Sequence, residues 1–132
     1  MNASRWLAEA ALNHFFRNIP TTPPPQVFVG LYISSPTNEN IGTEVSGGNY
    51  ARQRATFTAP VQTEAGKAQI ANATEIIFPV ATANWGNITH FGILTAATGG
   101  QLMAHGAVPV PREILSGDEA VYREESLTIS MD

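Results

Sequence analysis

Two histidines in the C-terminal half of the chain have a spacing that could place them side by side. His90 and His105 lie on either side of Thr98-Gly99-Gly100, a segment typical of a β-hairpin turn. A two-residue loop at Thr98-Gly99 would place His105 opposite Gly92, with His90 two residues away on the same face. Two imidazoles there could share a metal ion, but neither a third histidine nor a carboxylate is evident nearby. We therefore expect no metal site and interpret both as hydrogen-bonded surface or interface histidines.

Residues that enzymes use as nucleophiles or paired acids form no recognisable pattern in this chain. Cysteine is absent, which excludes disulfides, thiolate nucleophiles and zinc–thiolate sites. Adjacent acids occur only at Asp118-Glu119 and Glu124-Glu125, beside a predicted turn or at a predicted bulge, and nothing indicates the fixed carboxylate separation of a glycosidase. Gly47-Gly48 lacks the pattern of a phosphate-binding loop, so we predict a tight turn with positive φ there. The sequence predicts no catalytic residue, no cofactor and no enzymatic activity.

One tryptophan lies in a polar segment where its ring could serve as a binding surface. Trp85 is flanked by Asn84, Gly86 and Asn87. An exposed ring among amides could stack on a sugar, which would make this a glycan-binding loop. The alternative is a ring that folds back and closes one end of the domain.

Composition limits the classes of partner. Charged residues make up 14% of the 132 residues, whereas about a quarter is usual in globular domains. The net charge is −4 and the seven basic residues are scattered, so we expect no nucleic-acid partner. No apolar run is long enough for a membrane span, and we expect no signal peptide. A surface so poor in charge favours a protein that is partly covered by partner subunits.

The N-terminal region reads as a helix followed by a stiff linker. Apolar residues recur at helical spacing over residues 3–16, and Asn2 or Ser4 can cap the start. Prolines over residues 20–26 favour an extended segment. We predict a helical region at 1–19, a linker at 20–26 and a β domain at 27–132. The helix either packs on this domain or docks on a neighbouring subunit.

Short alternating or apolar runs separated by Gly, Pro and Asn turns fill the rest of the chain. This organisation, without intervening helices, predicts a mainly β fold: an antiparallel, jelly-roll-like β-sandwich with one N-terminal α-helix. We expect pairing along one side to end at Pro109 and Pro111, because proline donates no hydrogen bond. The predicted strands are residues 27–33, 50–57, 69–72, 75–80, 88–95, 101–108, 112–115 and 120–130, with 27–33 central and 50–57 near an edge.

Several blocks, in the same order along the chain, resemble small bacteriophage tail-fibre-like structural proteins. They are EVSGGNYARQ at 44–53, FPVATANWG at 78–86, ITHFGI at 88–93, Thr98-Gly99-Gly100, Leu102, Gly106, Gly117-Asp118 and Leu127-Thr128-Ile129, preceded by Leu31-Tyr32 at the position of the family's first strand. The resemblance covers roughly residues 27–132, and the order of several blocks makes it specific.

The resemblance implies a virion structural protein, made in the host cytoplasm, that assembles into the particle and projects or attaches a fibre. The implied partners are its own copies, with a homotrimer favoured, and other virion proteins. We further predict that Trp6, Leu7, Phe15 and Phe16 attach the module to the particle or to a sister chain. Two alternatives stay open: a capsid-decorating stabiliser, and a carbohydrate-binding module in which Trp85 contacts a host surface glycan.

Overall fold

The computed structural model describes residues 2–131, which form one helix and three antiparallel sheets. The helix is α1 (Arg5–Phe16), and at 12 residues it is too short to cross a bilayer. The strands are β1 (Asn2–Ala3), β2 (Val27–Tyr32), β3 (Gln53–Ala55), β4 (Val61–Gln62), β5 (Ala68–Ala71), β6 (Ile76–Ile77), β7 (Gly86–Leu94), β8 (Leu102–Ile114), β9 (Val121–Tyr122) and β10 (Thr128–Met131).

The largest sheet has the strand order β1-β8-β7-β2-β3. The smaller sheets have the orders β10-β5-β4 and β6-β9. The mainly β fold with antiparallel sheets and one N-terminal helix is therefore confirmed. Strand β2 has a partner on both sides and β3 forms an edge, as their residue patterns predict.

One face of the large sheet carries the apolar core. Alternate residues of β2 and β7, such as Leu31 and Phe91, are buried there, as their two-residue period requires. They pack in one cluster with Phe78, Ala120 and Leu127 from the segments around the smaller sheets. A single apolar core therefore joins all three sheets.

The opposite face of the large sheet is also covered. Tyr32, Leu94 and Leu102 are buried on this side. The Tyr32 hydroxyl donates to Asn40 Oδ1 at 3.1 Å, so the loop that follows β2 folds back over the sheet. Both faces of the central strands are buried, which explains why β2 reads as apolar at nearly every position.

The β7–β8 hairpin has the predicted register but a longer loop. Gly92 lies opposite His105, as predicted. The prediction of a two-residue loop at Thr98-Gly99 is wrong. The connection runs from Thr95 to Gln101, and the Thr95 N–H donates to the Gln101 carbonyl at 3.0 Å. An irregularity between Ile93 and Leu94 absorbs the difference in register.

Strand β8 continues beyond the prolines that were expected to limit it. His90 lies opposite Ala107 and Ile88 opposite Arg112, so Thr89 faces the whole of residues 108–111. Pro109 and Pro111 lie inside this large bulge, where no ladder hydrogen bond is required of them. Pairing therefore resumes after the bulge and extends to Ile114.

The first residues of the chain join the large sheet instead of extending the helix. Asn2 lies opposite His105 and Ala3 opposite Ala104. Helix α1 then begins at Arg5, after its cap at Ser4. The predicted helix start at residue 3 is thus two residues early.

Candidate attachment surface

Local hydrogen bonds define both ends of helix α1. Ser4 Oγ accepts a hydrogen bond from the Leu7 N–H at 3.1 Å, the usual N-cap arrangement. At the other end the Ile19 N–H donates to the Asn13 carbonyl at 3.1 Å, while Asn18 has a φ of 56°. The helix therefore begins and ends at positions that specific hydrogen bonds define.

Within residues 2–131, the backbone bonds that tie α1 to the rest of the molecule are at its N-terminal end. The Ser4 N–H donates to the Met103 carbonyl at 2.8 Å, and the Arg5 N–H donates to the Asn38 carbonyl at 3.0 Å. An exposed ion pair of 3.0 Å between Arg5 and Glu39 lies beside these bonds. The helix is thus anchored at its start.

A stripe of large apolar side chains on α1 and just after it is open to solvent. No residue of α1 is buried. Leu12 and Ile19 are 57% and 39% exposed, while Phe15 and Phe16 are 77% and 82% exposed. Leu12, Phe15 and Phe16 have the i, i+3, i+4 spacing by which a helix packs against another surface, and Ile19 follows the end of the helix. We call these four residues the α1 apolar stripe.

Beside the stripe, α1 and the proline segment (residues 20–26) enclose an apolar groove of about 290 Å³. Trp6 and Leu7 line it from the helix, Pro23 and Pro24 from the segment, and Met103 from β8. Trp6 and Leu7 are half-buried. The groove therefore lies between the helix and the body of the molecule.

The four residues predicted for attachment divide into two groups. Trp6 and Leu7 are half-buried along the groove, whereas Phe15, which also lines it, and Phe16 are mostly exposed to solvent. Leu12 and Ile19, the other two residues of the stripe, were not predicted, although both are large apolar residues close to Phe15 and Phe16 in the sequence. Their role in attachment stays a prediction.

Trp85 is folded into the molecule. It is 5% exposed, and its indole N–H donates to the Gly48 carbonyl at 2.8 Å. Its ring contacts Tyr50 edge-on, with the ring centroids 5.4 Å apart. The ring face that would stack on a sugar is covered, so the glycan-stacking prediction has no support in this geometry.

The two histidines of the hairpin are engaged in separate hydrogen bonds. His105 is buried, and its Nε2 lies 2.8 Å from Asn38 Oδ1. His90 Nδ1 lies 2.8 Å from Thr89 Oγ1. Burial, with a smaller effect of the nearby His90, lowers the pKa of His105. Within residues 2–131 no group of three potential metal ligands comes together.

Comparison with known protein families shows which family the sequence matches. The model of a family described as podophage GP4 fiber I protein gp80 matches residues 2–130. A search of curated proteins found no match. The match includes helix α1 and the proline segment, both of which lie outside the blocks that carry the resemblance in the sequence.

Proposed function

Because the chain belongs to the family of podophage GP4 fiber I protein gp80, we propose that it is a fibre module that attaches through helix α1. Family membership gives the chain a structural role in a phage fibre, and therefore in the virion. The attachment surface is our addition. Its partner is a sister chain or another protein of the particle.

The observation that carries this proposal is the α1 apolar stripe. Three large apolar side chains of α1 and one just after it are exposed, and no residue of the helix is fully buried against its own domain. Burying a phenylalanine side chain contributes about 2 kcal/mol, so covering Phe15 and Phe16 alone would stabilise a contact substantially. A partner surface that covers the stripe explains why these residues are apolar.

The proposal includes the division of the chain that the sequence predicts. Residues 1–19 form the attaching region, residues 20–26 act as a stiff linker and residues 27–132 form the projecting β domain. Prolines at 20 and 23–25 support the linker, because consecutive prolines favour an extended backbone.

Incorporation into particles tests the attachment surface. Phage that lack their own copy would be supplied with the double variant Phe15→Gln/Phe16→Gln, and the amount of the protein in purified particles would be measured. We expect at least a tenfold loss, because two contacts of about 2 kcal/mol each are removed. Ile41→Gln is the matched control, since Ile41 is also 77% exposed but lies outside the stripe, on the loop that follows β2. Undiminished incorporation of the double variant refutes the proposal.

We also propose that the chain forms a homotrimer. A threefold arrangement is one of the closed symmetries open to identical chains, and the low charge of this sequence suits a surface covered by its own copies. Light scattering should then give three times the 14.1 kDa mass of the chain. A monomer mass at high concentration overturns the trimer. Labelled copies on the capsid shell in particle images would instead favour capsid decoration.

A further inference from the structure

A cleft of about 220 Å³ opens between β8 and β9, on a different part of the molecule from α1. Pro109 and Val110 form part of its apolar wall. Its polar groups come from Arg112, Tyr122, Arg123 and Ser126. No aspartate or glutamate lines it. Every charged group on the wall of this cleft is therefore a cation, in a chain whose net charge is −4.

The two guanidinium groups of the cleft are available to a ligand. In residues 2–131 the two ion pairs are made by Arg5 with Glu39 and by Arg52 with Glu44. Arg112 and Arg123 thus have no carboxylate within 4.0 Å in the described part of the chain. A guanidinium presents a planar set of N–H donors that matches the two oxygens of a carboxylate.

Two hydroxyl groups add to this donor set. Burial raises the pKa of Tyr122 to about 12, and the positive charge of Arg112 opposes that rise only in part. The Tyr122 hydroxyl therefore keeps its proton at neutral pH and can donate it. Ser126 Oγ is buried and has no hydrogen-bond partner within residues 2–131, although buried hydroxyls normally have one.

The backbone that presents these groups is fixed from both sides. Arg112 follows the β8 bulge of residues 108–111, a kind of irregularity that redirects side chains. On the other side, the fully buried Asn72 holds the turn from Arg123 to Ser126. Its Nδ2 donates to the Arg123 carbonyl at 2.8 Å, and its Oδ1 accepts from the Leu127 N–H at 2.9 Å. The backbone that carries these donors is thus held in place, which reduces the part of the entropic cost of binding that comes from the main chain.

We propose that this cleft binds the carboxylate-bearing ring of an acidic sugar, of the hexuronic acid class. Arg112 and Arg123 bind the carboxylate, while the Tyr122 and Ser126 hydroxyls bind the ring hydroxyls. The apolar wall contacts the C–H face of the ring. The cleft is smaller than the roughly 300 Å³ at which drug-sized pockets begin, which favours a single ring over a peptide. This site is separate from α1, so the result of either test leaves the other proposal standing.

Titration of the full chain with an oligomer of glucuronic acid tests the proposal, by calorimetry at low salt. We expect binding that weakens at least tenfold in both Arg112→Gln and Arg123→Gln, because each change removes a charge-assisted contact. Arg54→Gln is the matched control: Arg54 is exposed on β3, and its loss changes the net charge equally. We expect no binding of a neutral glucose oligomer.

Three results would overturn the proposal. The first is no detectable binding of the glucuronic acid oligomer by the unaltered chain. The second is an equal loss of affinity in Arg54→Gln, which would mean attraction by overall charge and not by this cleft. The third is equal affinity for poly-glutamate, which would replace the sugar with an acidic peptide. Arg112 and Arg123 are exposed, so unchanged circular dichroism is expected in both variants.

Discussion

At the scale of single residues, one buried ion pair connects three parts of the chain. Arg52 donates through Nε and Nη2 to both carboxylate oxygens of Glu44, at 2.8 Å each. Its Nη1 donates to the carbonyls of Ala96 and Gly99 in the β7–β8 loop, at 2.9 and 2.8 Å. The Tyr50 hydroxyl donates to Glu44 at 2.6 Å. Arg52 therefore holds the hairpin loop against the segment that precedes β3.

We expect Arg52→Met to lower the free energy of unfolding by about 3 kcal/mol, because it leaves Glu44 buried without its partner. The side chains of Arg52 and Glu44 are only 11% and 22% exposed, which is why the cost exceeds that of a surface pair. Urea denaturation followed by circular dichroism measures the change. Arg54→Met, at an exposed position of β3, should cost less than about 0.5 kcal/mol. Equal losses in the two variants would contradict this role of Arg52.

The pKa values of the three tyrosines of the chain lead us to expect a loss of stability at alkaline pH. Burial raises the pKa of Tyr32 and Tyr122 to about 12, and burial together with the hydrogen bond to Glu44 raises the pKa of Tyr50. The folded chain therefore holds these protons more tightly than the unfolded chain, whose tyrosines have a pKa of 10.0. Their stabilising contribution is complete below pH 10 and is lost as the pH rises toward 12.

An alkaline titration that follows tyrosinate absorbance and circular dichroism together checks this. We expect tyrosinate to appear in one late, steep step that coincides with unfolding. An ordinary tyrosine titration centred on pH 10 in a chain that stays folded would show that the hydroxyls are not held as described.

At the scale of elements, the stability of helix α1 depends on the contacts at its N-terminal end. A helix of 12 residues is marginal by itself in water, and α1 buries none of its residues. Its order comes from the Ser4 cap and from the pairing of Asn2–Ala3 with β8. The α1 apolar stripe is therefore presented on and beside an element of low intrinsic stability.

Ser4→Ala should loosen α1 without unfolding the sheets. Loss of the cap costs about 1 kcal/mol, and the effect is local because the sheets share a separate core. Amide hydrogen exchange should accelerate several-fold in α1 and stay unchanged in β7. Ser46→Ala, at an exposed loop position, is the control. Unchanged exchange in α1 would mean that the cap does not hold the helix.

Elements with a clear local pattern could be predicted from the sequence. The strand predicted from the apolar run at 27–33 is β2 (Val27–Tyr32), and the glycine pair at 47–48 has positive φ as expected. The extension of β8 through two prolines could not be predicted, because it depends on a bulge opposite Thr89. Strand bulges and loop lengths depend on contacts distant in sequence, which residue periodicity does not record.

The candidate sites also differ in whether a local sequence pattern or a contact distant in sequence defines them. Phe15 and Phe16 could be found because an apolar stripe is a local pattern. The burial of Trp85 could not be decided from its polar neighbours, since the carbonyl that its indole binds belongs to Gly48, far away in the chain. The cleft that contains Arg112 and Arg123 forms only because β8 and β9 come together in the fold. The two arginines are scattered basic residues in the sequence, so the cleft could not be predicted from it.

At the scale of the whole molecule, the two candidate surfaces belong to separate parts of the chain. The α1 apolar stripe lies on the helix that is tied to β8 near Met103, whereas the cationic cleft lies where the far end of β8 approaches β9. A module with this arrangement can attach through one surface and leave the other open. The structural role in a phage fibre accounts for the first surface without requiring any reaction.

Photo-crosslinking in assembled particles tests attachment through α1 most directly. A photoreactive amino acid would replace Phe16, and in a parallel sample Ile41, and irradiated particles would be analysed for crosslinked partners. We predict a crosslink from position 16 to a sister chain or another virion protein, and none from position 41. Particles that contain the protein but give no crosslink from position 16 would contradict the account.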